Sequence, residues 1–498
     1  MSILICAYNK KIAEEIVKRL GSNSTTNRMW SDEQNTIFNW FATGSNHLVV
    51  VAYAGTGKTT TILEGVKRAP ESKDGIDAKT LHAVGYAAVR RFRDNIKCDF
   101  GSTRADKLTD AVCGVSAPDA IKKLVSKLHT KGREMAPHAT KLGDLTNIAI
   151  EFECVPDESW QNEFPLDYVE LKALAAMELA SQIKSGETID GSDMIFLPVR
   201  NKWLTKSYDM VVVDEAQDMT TTQLEIAQGV CRGRICVVGD PNQAIYGFRG
   251  ADSNSISRLK TELNAAELGL TTTYRCGRVI VDYAKSFVSD FTAGAHNVEG
   301  SIVDLPLEKL CETASASDFI LSRVNAPLVS IAMTLLRSGK RARIAGRDIG
   351  AGLKSLVRKF KATSVPTLLQ KIASWEAREV SRLDVMLAKA TNGRRATLES
   401  KIEAIHDQAT MLVSLTDGAK NVGEVDARID ALFSDDGLGD AGIITCSSVH
   451  KSKGLEARRV FVLAATLRNN SQEERNIHYV AVTRAIETLV MVAGKAAA

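Results

Sequence analysis

The stretch LVVVAYAGTGKTTTIL, residues 48–63, restricts the fold more than any other. Leu48 to Val51 form a β-branched, apolar run of the kind a buried strand requires, and small residues then lead into a helix opening at Lys58. A strand, a glycine-rich turn and a helix in that order make a phosphate loop. Ala54, Gly55, Thr56 and Gly57 offer successive backbone N–H groups to a polyphosphate. Lys58 can reach the β- and γ-phosphates, and the hydroxyl of Thr59, followed by Thr60, can hold Mg²⁺. The strict pattern places glycine where Ala52 stands, so the match is incomplete.

A chain of 498 residues is too long for one core, so two to four domains are expected. With 44% hydrophobic and 25% charged residues it has the composition of a soluble globular protein. The net charge of +3 does not by itself indicate nucleic acid, so any binding groove must come from local clustering. Nine cysteines lie singly, without zinc spacing, which fits buried thiols in a reducing compartment. No run approaches the roughly 18 apolar residues of a membrane span. We therefore expect a soluble, cytoplasmic protein.

Residues 3–8 read as a strand and 10–20 as an amphipathic helix. Ser31 is placed to cap a helix that carries Gln34 and ends at Gly44. From about 83 to 205 the pattern is helical and basic at intervals (Arg90, Arg91, Arg93, Lys122, Lys123, Lys127, Lys131, Arg133), which suits either a solvated face or nucleic-acid contact. DMVVVDEAQD (209–218) and RICVVGDPNQAIYGFRGA (234–251) return to strands whose polar residues fall at the carboxyl ends, where ligands of parallel sheets bind. A second α/β region begins near 276. It is interrupted by charged helical sequence over 351–440, and closes with a strand, a helix over about 473–487 and LVMVAG.

Taken together, the P-loop, DEAQD, GDPNQAIYGFRGA, SVHKSKGLE and YVAVTRA resemble the superfamily 1 helicases of the UvrD/Rep/PcrA type, including the F-box helicase branch. The resemblance implies an α/β fold of two RecA-like parallel-sheet cores. The first would span 1–82 and 206–275 with a helical insertion at 83–205, the second 276–350 and 441–498 with a shorter insertion at 351–440. It implies an ATP-dependent DNA helicase or translocase that uses ATP and Mg²⁺, acts on single-stranded DNA and single-strand/duplex junctions in the 3′→5′ direction, and works as a monomer with no membrane attachment.

Residue by residue, the resemblance gives Asp214 as the metal-side carboxylate beside Thr59 and Glu215 as the group polarising the attacking water. Gln243 senses the γ-phosphate, Arg275 and Arg484 clamp it, and Glu456 approaches the ribose. Gln34 reads the adenine edge and Tyr274 stacks on it. Tyr246, Phe248 and Arg249 line the strand path, where stacking is worth about 1 to 3 kcal/mol per base. Tyr8, Thr80, His82, Ser448 and His450 complete the nucleic-acid set, while Arg323 reads as structural.

The sequence departs from the family in one place: ILICAYNKKIAEEIVKRLGS, the segment matching motif Ia, precedes the P-loop instead of following it. Either the N-terminal strand pairs into the same sheet slot, or this order is not the genetic one. Two other functions stay open at this point, a single-strand-binding scaffold with impaired ATPase and a P-loop ATPase acting on another substrate.

Overall fold

The computed structural model describes residues 2–7, 10–21, 29–101, 103–114, 117–156, 158–246, 255–388, 392–433 and 442–494. The chain divides into two compact units, Met1–Tyr53 with Gly57–Leu270, and Ala54–Thr56 with Thr271–Ala498.

The first unit is built on a six-stranded parallel sheet in the order Ile76–Thr80, Ile3–Ala7, Tyr208–Val213, Cys231–Gly239, Leu48–Ala52, Ala266–Leu270. The interior strands Ile3–Ala7 and Leu48–Ala52 and the run Met210–Val213 are apolar because helices cover both faces, whereas the edge strands carry Asp77, Lys79 and Glu267. The N-terminal strand takes an interior position, with Ile3 opposite both Ile76 and Met210. The P-loop helix, Lys58–Arg68, is followed by a short turn at Pro70–Asp74, and Gly75 at φ 116° redirects the chain into Ile76–Thr80. That turn shows how the chain passes from the P-loop helix to Thr80 without the displaced segment.

Ser31 caps Asp32–Thr43 with a complete capping box: its side chain accepts from the Gln34 N–H, and the Gln34 side chain accepts from the Ser31 N–H. The helical insertion carries its own core around Ile121, Val125, Ala173 and Met177. Its cations are largely used internally. Arg133 is fully buried against Asp190 and Asp193, Lys122 pairs with Asp110, Lys131 with Glu134, and Arg93 donates to the Ile183 carbonyl. Arg90, Arg91, Lys123 and Lys127 stay exposed.

The second unit has its own six-stranded parallel sheet, ordered Ser301–Pro306, Ala485–Ala493, Ala457–Leu463, Phe319–Ser322, Ile444–Ser448, Ala342–Ile344. Four helices between Arg347 and Leu432 form its insertion. The last helix is shorter than the sequence suggests, running Gln472–Val482. Residues from Ala485 join the strand opposite Ala457, and β-branched Ile486 and Thr488 favour that ladder over further helix. All nine cysteines are free, and among the described residues no helix is long and apolar enough to cross a membrane.

Candidate nucleotide and nucleic-acid sites

The strand Leu48–Ala52 delivers the chain into a turn where Gly55 and Gly57 adopt φ of 71° and 81°, values that glycine reaches without strain. Ala54 and Thr56 are buried in this turn. The strand Tyr208–Val213, separated from Leu48–Ala52 by Cys231–Gly239, ends at Asp214 and Glu215, and Glu215 is itself left-handed at φ 54°. A non-glycine residue held there stores strain, which is common where a side chain must be aimed.

The side chains converge on Lys58, whose Nζ lies 3.2 Å from a Glu215 carboxylate oxygen. The Thr59 hydroxyl donates to Asp214 Oδ2 at 3.2 Å. Burial alone would lower the Lys58 pKa, but Glu215, Asp240 and Asp214 together hold it above its usual value. Burial, reinforced by Glu215, pushes Asp214 up to about 6 in spite of Lys58. Asp240 is likewise raised, chiefly by burial. Three carboxylates around one ammonium leave an excess of negative charge that a divalent cation would relieve.

Thr59 and Asp214 supply two oxygens for such a cation, and among the described residues no group of three or more His, Cys, Asp or Glu could hold one unaided. That donor set fits Mg²⁺, which keeps waters and substrate phosphates in its coordination shell.

Sequence reasoning assigned no role to Asp240 or Gln217. Gln217 Nε2 donates to Glu215 at 2.6 Å while its carbonyl accepts from the Asp240 N–H at 3.1 Å, and Asp240 accepts from Gln243 Nε2. These bonds fix the orientation of Glu215 and Gln243. The available signal was the polar residues following two adjacent strands, DEAQD and GDPNQ.

Gln34 is buried. Its carbonyl caps the helix and its amide donates to Thr61 on the P-loop helix at 2.9 Å, so only one amide hydrogen remains for a ligand.

In the second unit, Arg275 pairs with Glu456 and donates to the Thr483 carbonyl. Arg484 is 1% exposed and donates to the Val480 and Leu455 carbonyls and the Thr483 hydroxyl. Burial and nearby Arg275 lower its pKa to about 10. Tyr274 is half exposed, and its ring lies so close to Gly294 that a Cβ there would sit 2.9 Å away. Asn297 braces this turn by donating to the carbonyls of Thr273 and Cys276, another role unseen in the sequence. Arg323 forms a bidentate pair with Glu474, a structural use.

Of the residues expected to contact nucleic acid, Thr80 caps the helix Leu81–Phe92, and His82 is half-buried with a lowered pKa caused by burial. Tyr246 is half-buried. Ser448 is buried at the end of its strand, and His450 is half-buried in the turn beyond it. Tyr8, Phe248 and Arg249 lie outside the described residues.

A strand–glycine turn–helix with lysine and paired carboxylates at the carboxyl ends of a parallel sheet defines a P-loop nucleotide-binding protein. Residues 1–264 match the UvrD/REP helicase N-terminal domain and residues 444–492 the UvrD-like helicase C-terminal domain, and the chain belongs to that helicase family. It is 23% identical over 512 residues to F-box DNA helicase protein 1 of Schizosaccharomyces pombe, covering 89% of this chain and 55% of that protein. With ATP-dependent DNA helicase Rep of Escherichia coli it shares 26% over 276 residues, 48% of this chain and 40% of Rep. With ATP-dependent DNA helicase PcrA of Staphylococcus aureus it shares 22% over 311 residues, 54% and 41% of the respective chains. The chain thus spans about half the length of these relatives.

Proposed function

We propose that this protein is an ATP-dependent DNA helicase that translocates on single-stranded DNA in the 3′→5′ direction and opens duplex at single-strand junctions. The observation that carries the reading is the cluster of Lys58, Thr59, Asp214 and Glu215, all within one charged network. Lys58 neutralises the β- and γ-phosphates, and Glu215, aimed by Gln217, accepts a proton from the attacking water. Thr59 and Asp214 would hold Mg²⁺, which supplies charge neutralisation on the phosphate oxygens. Gln243, braced by Asp240, reads the γ-phosphate end. Arg275 and Arg484 act as the arginines that stabilise charge in the transition state, Glu456 meets the ribose, and Gln34 and Tyr274 take the base.

Thr80, His82, Tyr246, Ser448 and His450, with Tyr8, Phe248 and Arg249, are assigned to the strand. Their contacts would be to backbone and base faces, so binding is tolerant of sequence. Each base-pair step opened costs on the order of 1.4 kcal/mol, which coupled turnover can meet. The remaining proposals are a cytoplasmic location and a monomeric motor.

The test is steady-state ATP hydrolysis with and without single-stranded DNA, for wild type and Lys58→Ala, followed by strand displacement on 3′- and 5′-tailed duplexes. DNA-stimulated turnover that Lys58→Ala abolishes, with unwinding of the 3′-tailed duplex, is the expected result. Turnover indifferent to DNA would overturn the motor, and salt-sensitive binding without turnover would favour a scaffold.

A further inference from the structure

We propose that Arg19 is a positioning residue for the nucleotide site, setting the first turn of the P-loop helix through Thr60; this rests on the ATPase reading above. The helix Lys10–Gly21 packs on Lys58–Arg68, and Arg19 Nη2 donates to Thr60 Oγ1 at 2.7 Å across 41 residues of sequence. Thr60 is the third residue of the helix whose N–H groups face the phosphates. The same segment also holds the other side of the site. Its strand lies beside Tyr208–Val213, and Cys6 O accepts from the Asp214 N–H at 3.1 Å. One short stretch, displaced in sequence, thus grips both the P-loop helix and the backbone of Asp214.

The electrostatics give this contact a direction. A guanidinium beside the positive end of a helix is disfavoured by the macrodipole, and a bound polyphosphate reverses that sign. Phosphate binding therefore strengthens the hold of Arg19 on Thr60, and by linkage the contact strengthens phosphate binding. The contact falls on Thr60, whereas Lys58, Glu215 and Gln243 form the cluster assigned to the γ-phosphate end. Its contribution is consequently the same for ATP and for ADP.

The experiment compares the full-length wild type with Arg19→Ala, Arg19→Lys, Thr60→Val and the Arg19→Ala/Thr60→Val double variant in DNA-stimulated hydrolysis. It reads KM for ATP, kcat, Ki for ADP and the Tm without nucleotide. Arg19→Ala should raise KM and Ki together by about tenfold, the loss of one charge-assisted hydrogen bond, with kcat within about twofold of wild type. The double variant should be no worse than Thr60→Val. Arg19→Lys, which keeps charge and packing without the planar fork, should fall between and remains readable if the alanine variant folds poorly.

An unchanged KM with only a lowered Tm, additive effects in the double variant, or a rise in KM without one in Ki would each overturn the proposal. Wild-type turnover combined with wild-type behaviour of Arg19→Ala and Arg19→Lys sinks this inference alone. A wild type that hydrolyses no ATP sinks it together with the function on which it rests.

Discussion

Arg234 ties the helix bearing Gln34 to the first sheet, and replacing it with Met gives a prediction that can be worked from the bonds it makes. The side chain is 7% exposed. It forms two bonds to Glu71 at 3.0 and 2.9 Å, donates to the carbonyls of Trp40, Phe41 and Gly44 at 2.8, 2.6 and 2.6 Å, and stacks 4.7 Å from the Trp40 ring centroid. Arg234→Met strands a Glu71 carboxylate that is itself only 15% exposed and removes the donors from the C-terminal carbonyls of Asp32–Thr43. Breaking a buried pair from one side costs about 3 to 5 kcal/mol.

Hydrogen exchange on the full chain reads this locally. Amide protection across Asp32–Thr43 should fall by roughly two to four orders of magnitude, up to the limit set by global unfolding. Arg234→Met/Glu71→Leu should recover much of the loss, because no charge is then left buried. Protection within tenfold of wild type in the single variant, or a double variant worse than the single, would refute the reasoning.

Other outcomes follow from the same contacts. The His129 imidazole is fully buried in the insertion, with Nε2 3.1 Å from the Ala105 carbonyl and Nδ1 without a hydrogen-bond partner among the described residues. Burial first, then Arg133, holds its pKa down to about 3, below an unfolded value near 6.5. The folded state therefore refuses a proton that the unfolded state takes, and this costs about 2 kcal/mol at pH 5 relative to neutral pH. His129→Leu should flatten that part of the pH dependence in urea titrations at pH 7 and 5, and an unchanged slope would exclude it. Gly65→Ala puts a Cβ 2.2 Å from the Phe41 ring, so overpacking of about 1 to 3 kcal/mol should outweigh the gain in helix propensity of about 1 kcal/mol and lower Tm. Gln34→Glu keeps the capping acceptor while Thr61 turns its hydroxyl into a donor, so stability should hold, whereas Gln34→Ala should lose about 1 to 2 kcal/mol. A thermal melt separates the two.

The sequence made legible whatever is encoded within one stretch. Ser31 and Gln34 announce their capping box by spacing alone, and the continuous apolar strands announce a parallel sheet. What it could not display were pairings made across the chain. Gln34 meets Thr61, Gln217 meets Asp240, and Arg133 vanishes into a buried network despite reading as one of a series of surface cations. The last helix ends earlier than its sequence suggests because the ladder opposite Ala457 claims Ala485 onward, a pairing made with a distant stretch. Asn297 carries no motif at all, and its bracing of the Tyr274 turn exists only once the fold brings the two segments together.

The interior position of Ile3–Ala7 also bears on how the chain is made. Residues leave the ribosome in order, and this apolar strand cannot acquire both neighbours until Tyr208–Val213 has been synthesised. At about 5 to 20 residues per second, that wait is on the order of ten to forty seconds. During it, ILICA can pair at most with Ile76–Thr80, leaving its other edge open to any passing strand. The two central strands of the first sheet, Tyr208–Val213 and Cys231–Gly239, are therefore made after three of the strands that flank them, and the helical insertion is translated while its host sheet still lacks its middle.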